Sequence, residues 1–126
     1  KASRKEGSGI KVHKPDAKRP LIIKFYHSKS FEHRSGSYEH SWHVVRLNDV
    51  IGTIVDLCMF SYVDSHGNWN FFIYEPDELG MYYEENRSSD NEILHLYFVV
   101  KDGKAIEVRE KTIDVTDHLN NWNMLK

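Results

Sequence analysis

The sequence predicts an α+β domain built on a mixed sheet, with one main helix and a C-terminal hairpin extension. Three observations predict it. Short β-branched and aromatic runs recur between turn signals, as in Leu21 to His27 and Trp69 to Tyr74. Val50, Ile51, Ile54, Val55, Cys58 and Met59 fall at i, i+1, i+4, i+5, i+8 and i+9, one face of a helix. Lys101-Asp102-Gly103-Lys104 centres Asp-Gly in a two-residue hairpin. The competing expectation is an all-β antiparallel sheet or sandwich. It arises because residues 50–55 are largely β-branched, and Gly52 costs a helix about 1 kcal/mol.

Charge divides the chain. Residues 1–20 carry seven Lys/Arg and two acids, and the remaining 106 carry ten Lys/Arg and seventeen acids. A basic arm with few apolar residues cannot bury enough surface to fold alone, so residues 1–20 are expected to be a disordered arm or linker. Residues 21–126 are expected to form one globular domain, long enough for its own core. The lead of Lys, Gly and Ser suggests a piece of a longer protein.

The elements follow in order. Leu21 to His27 reads as a strand bounded by Pro20. Ser28 to Ser41 is polar, contains Ser-Gly-Ser, and reads as a long loop. Trp42 to Leu47 resumes as a second strand. Asn48 and Asp49 are N-cap residues for the expected helix over 49–60. Asp64 to Asn68 is a turn, Trp69 to Tyr74 a strand, and Leu79 to Glu85 a short strand or single helical turn. Ile93 to Val100 is the strongest strand, nearly continuous in apolar residues. Ala105 to Val108 returns antiparallel, and the end carries a short helix capped near Thr116 or Asp117. If Thr53 to Asp64 is instead a strand, it pairs with Trp69 to Glu75 through the 65–68 turn.

Two details resemble the ubiquitin-like β-grasp superfamily, including Ras-association and PB1-type domains. Glu92-Ile93-Leu94-His95-Leu96 is similar to the last strand of such folds. Tyr62 to Trp69, followed by Pro76-Asp77-Glu78-Leu79, resembles a PB1 acidic loop, with Lys24 at the matching basic position. The likeness spans roughly residues 20 to 100. It departs at Asn68, where the loop would carry an acid, and in the long 28–41 loop. The resemblance implies a β-grasp-like sheet that binds a partner protein.

Few residues point to chemistry. Cys58 lies in an apolar run and reads as a buried hydrophobe; alone, it cannot form an internal disulfide. His27, His33, His40 and His43 cluster within seventeen residues, and imidazoles suit zinc, copper or nickel. No second tight Cys or His pair accompanies them, and His40 and His43 point to opposite faces of a strand, so no metal is expected. There is no Gly-x-Ser-x-Gly and no phosphate-binding Gly loop, so no catalytic residue is assigned. No cofactor is expected. No secretory leader and no membrane span are evident. With a single thiol, an intracellular location, cytoplasmic or nuclear, is expected.

The expected function is protein–protein interaction within a larger intracellular protein, through the first two strands and their connecting loop. Lys24, Lys29, Arg34 and Arg46 would supply charge and Trp42 the buried contact. The alternative is a β-rich nucleotide- or RNA-binding module of a larger assembly, stacking bases on Tyr26, Trp42, Trp69 and Phe72.

Overall fold

The computed structural model describes residues 9–13, 15, 18–86, 92–109 and 111–126. The chain is sheet-rich with one α-helix among these residues, an α+β arrangement of two layers. The first layer is a four-stranded mixed sheet in the order β1 (Gly9–Val12), β2 (Leu21–Ser28), β6 (Leu57–Val63), β7 (Trp69–Tyr74). β1 and β7 run antiparallel to their neighbours, while β2 and β6 are parallel, with Phe25 opposite Met59. A parallel pair needs a crossover, usually a helix. Here the crossover is itself extended: β3 (Phe31–Glu32), β4 (Glu39–His40) and β5 (His43–Arg46), ending in a 3-10 turn at Leu47–Asp49.

That crossover builds the second layer. β3 pairs with β4, and β5 pairs antiparallel with β8 (Ile93–Leu96), His43 opposite Leu96. The Ser41 N–H reaches the Phe98 carbonyl at 2.9 Å, which continues the same register across the break between β4 and β5. β9 (Phe98–Lys101), β10 (Lys104–Glu107) and β11 (Ile113–Asp114) extend this layer. The β9–β10 turn uses Asp102 at φ 56° and Gly103 at φ 78°, the left-handed pair that suits a two-residue hairpin.

Both faces of the first sheet are covered along β6. Cys58, Phe60 and Tyr62 point into the main core with Phe72, Tyr74 and Phe98. Leu57 and Met59 point the other way, with Ile23 and Ile73, under Leu21, Met124 and Leu125 of the C-terminal turns. The helix α1 (Pro76–Asn86) packs Leu79 and Tyr83, one turn apart, into the main core. Its start is set by Pro76 in the first turn and by Glu78, whose carboxylate accepts the Glu75 N–H at 2.8 Å.

Two expectations are corrected. The main helix expected over 49–60 is absent: a 3-10 turn ends at Asp49, Gly52 sits at φ 82°, and β6 begins at Leu57. Of the six stripe residues only Cys58 and Met59 lie in β6, where they enter opposite core clusters, while Ile51 and Ile54 are exposed in the turns before it. The α-helix lies at Pro76–Asn86 instead, so the order strand, strand, helix, strand is not followed. Within the arm expected over 1–20, Gly9–Val12 forms β1 on the edge of the first sheet. Further along that segment, Arg19 grips Asp56 with two contacts, at 2.6 and 2.9 Å. Ionisation of Asp56 is favoured chiefly by this Arg19 bond and also by the Ile22 N–H at 2.7 Å, so its carboxyl stays below the usual range. Residues 1–8 lie outside the described residues.

Candidate functional site

Alternation on β5 turns Trp42, Val44 and Arg46 outward while His43 and Val45 enter the core. Trp42 and Val44 are 45% and 47% exposed, high for large apolar side chains on a paired strand. Trp42 is nonetheless held. Its backbone N–H donates to the Ser28 hydroxyl at 2.9 Å, and its indole N–H donates to His95 Nδ1 at 3.1 Å. The indole also meets Phe31 and Tyr97 edge-on, at 5.9 and 5.7 Å between centroids.

Around Trp42 runs a continuous set of rings. His40 stacks on Tyr97 at 4.6 Å, and His33 stacks on Tyr38 at 4.5 Å. Cations lie over two of them: Lys29 Nζ is 5.3 Å from the Phe31 centroid and the Arg109 guanidinium 5.6 Å from that of Tyr97. Glu39, on the other side of the β3–β4 hairpin, is bound by the hydroxyl of Ser30 and by both the hydroxyl and N–H of Ser65. Those hydrogen bonds outweigh partial burial and hold the Glu39 carboxyl below its ordinary range. The outer face of the second layer is therefore cationic and aromatic, on a chain whose net charge is −2.

The structure brings together three of the five residues expected to bind a partner. Lys29, Trp42 and Arg46 share this surface. Arg34 is exposed in the turn closed by the Gly36 N–H to the His33 carbonyl, at the tip of the same hairpin. Lys24 does not join them. It sits half-buried on β2, its amine 5.8 Å from the Tyr26 centroid. The Tyr26 hydroxyl is buried with no hydrogen-bond partner among the described residues.

The four histidines do not converge, and among the described residues no three metal-ligating side chains do. His43 is 2% exposed; its Nε2–H donates to the Ser61 carbonyl at 2.9 Å, and its Nδ1 accepts from the Ser41 hydroxyl at 3.1 Å. Burial makes protonation costly and pushes His43 down to about 4. His40 Nδ1 donates to the Ser41 carbonyl at 2.7 Å. His33 Nδ1 accepts the Ser35 N–H at 3.1 Å. His27 lies on the outer face of the first sheet, its Nδ1 2.9 Å from the Ser61 hydroxyl and its ring 5.3 Å from Trp69.

The aromatic residues of the base-stacking alternative are scattered. Phe72 stacks on Phe98 at 3.9 Å and Tyr26 on Phe60 at 5.1 Å, both inside. Trp69 is exposed, but on the outer face of the other sheet. Sequence reasoning missed Val44, His95 and Tyr97. The signal was available: His95 and Tyr97 interrupt the apolar run of 93–100 two residues apart, as two residues sharing one strand face would. Cys58 is fully buried and its thiol is pushed up to about 12 by desolvation, which removes it as a nucleophile. No family model, curated protein or solved structure gives a significant match to this chain.

Proposed function

We propose that the chain is a protein-interaction module whose outer second-layer face takes an extended, acidic segment of a partner protein. The observation that carries this is the pinned, half-exposed Trp42 beside Val44 and Arg46, next to the rings of Phe31 and Tyr97 that carry Lys29 and Arg109. A rigid Trp with a neighbouring aliphatic side chain is the usual kind of interface anchor, and flanking cations select acidic partners. The reading is independent of the ubiquitin-like resemblance. It modifies the expected site, since Lys24 is replaced by Arg109 and the first strand by the hairpin of β3 and β4.

Protein recognition is favoured over base stacking by what the rings already do. Tyr97 is stacked on His40 and lies under the Arg109 guanidinium, Tyr38 is stacked on His33, and Phe31 carries Lys29. Stacking successive bases needs several free ring faces. Only Trp42 offers a large exposed area within this set of rings.

The test is selection of displayed twelve-residue peptides on the full chain, with counter-selection on Trp42→Ala. Support requires acidic sequences with an apolar residue, whose measured affinity falls about tenfold or more, ~1.4 kcal/mol, for Trp42→Ala and for Arg46→Glu. Peptides that bind wild type and both variants equally overturn the proposal. So does tighter binding of labelled oligo(U) than of any selected peptide.

A further inference from the structure

We infer that the groove beside the Asp102–Gly103 turn binds a small organic phosphate with a flat, apolar body, of mononucleotide size. The groove has a volume of about 520 Å³, and the aliphatic residues Val99, Ile106 and Val108 line it. That volume lies within the usual range for small-molecule sites, ~300–1,000 Å³. Tyr38 also lines it, with its ring stacked on His33 at 4.5 Å. Thr112 adds a hydroxyl, and none of the lining residues is acidic.

The charge comes from Lys101 and Lys104. They are directly opposed in the β9–β10 register, so both project from one face, and both line the groove. Like charges placed opposite each other destabilise a strand pair. The turn does not require them, because its geometry is set by the left-handed Asp102 and Gly103. An anion bound between the two ammonium groups would remove that repulsion, and lysine serves phosphate well as a compact point charge. Asp114 offsets the pair only from the side. Its carboxyl is held low first by the Thr116 hydroxyl and N–H, and least by Lys104. The inference does not depend on a partner protein at Trp42; the two surfaces are separable by mutation.

The test is a backbone-amide NMR titration of the full chain with 5′-AMP, phenyl phosphate, adenosine and inorganic phosphate in turn. The expected result is saturable shifts at Tyr38, Val99, Lys101 and Ile106 with the first two ligands, at Kd near or below ~1 mM. Lys101→Met and Lys104→Met are exposed hairpin changes that leave the remaining spectrum in place. Each is expected to weaken binding about tenfold. No shift up to about 10 mM ligand overturns the inference, as does unchanged affinity in both variants. Adenosine binding as well as 5′-AMP overturns the role of the lysines. Equal shifts with inorganic phosphate alone reduce the groove to a site for an adventitious anion only.

Discussion

His43 is where sequence and structure part most clearly at the scale of one residue. It looks like one of four clustered imidazoles, yet both its nitrogens are used inside the core, by Ser61 and Ser41. Burial lowers its pKa from 6.5 to about 4. A lowered folded pKa means that the unfolded chain takes the proton first as pH falls. His43 therefore supports the fold fully above about pH 6.5, and that support is lost progressively toward pH 4. The loss is expected to reach roughly 2–3 kcal/mol between pH 7.5 and 4.5. Urea unfolding at these pH values, with the His43 ring followed by NMR, checks it. A ring that titrates near 6.5 would show that the site is wet. Trp42 is the counterpart on the surface: its type and its strand position were legible, while its hydrogen bond to His95 joins residues 53 apart in sequence and was not.

Elements were legible where local chemistry specifies backbone shape. The Asp102–Gly103 hairpin turn was expected and is present, because few residue pairs tolerate two left-handed positions. The Asp64 to Asn68 turn was expected too. The Asp64 carboxylate accepts the N–H groups of His66 and Asn68 at 3.0 and 2.9 Å, an arrangement that Asp favours. The helix was misread for the opposite reason. Residues 57–63 are apolar except for Ser61 because both faces of β6 are buried, and so continuous a run cannot separate a strand from the end of the stripe over 50–59. α1 fully buries Leu79 and Tyr83 and partly buries Tyr82, with Gly80 and the exposed Met81 between them, so its helical signal was faint. Gly80 offers a test of that helix. A Cβ there would meet the Ile51 Cδ1 at 2.8 Å, the free end of an exposed side chain that can rotate away. Gly80→Ala is expected to stabilise the protein by about 0.5 kcal/mol, since alanine gains up to ~1 kcal/mol of helix propensity. The urea midpoint measures it; a loss larger than about 1 kcal/mol would mean that Ile51 is rigidly packed.

Across the whole molecule, two layers share one aromatic core, and Phe98 lies where they meet. It stacks on Phe72 at 3.9 Å and stands 5.7 Å from His43, 5.9 Å from Phe60 and 6.2 Å from Tyr74. Phe98→Ala is expected to cost about 3–5 kcal/mol, the range for a buried aromatic that leaves a cavity. Phe25→Ala, on the exposed outer face of β2, serves as the control and should cost much less. Denaturant unfolding of both variants checks this. A loss under about 1 kcal/mol for Phe98→Ala would mean that the layers do not depend on a common core. The layering also sorts the charge: a chain that is acidic after residue 20 gathers Lys29, Arg46, Lys101, Lys104 and Arg109 around one outer face. Among the described residues, no helix is long and apolar enough to cross a membrane.

By itself, the sequence determined the Asp64–Asn68 and Asp102–Gly103 turns, the strands β2, β5, β7 and β10, and the burial of Cys58. Each depends on backbone sterics or on alternation along a few residues, so it is written locally. Only the tertiary structure decided that residues 57–63 form a strand, that the chain before Pro20 contributes one, and which cations stand near Trp42. Those outcomes depend on what covers both faces of β6 and on strand pairs between distant segments, such as β5 with β8. Burial on a second face and long-range pairing are set by the rest of the chain, and no short window of sequence contains them.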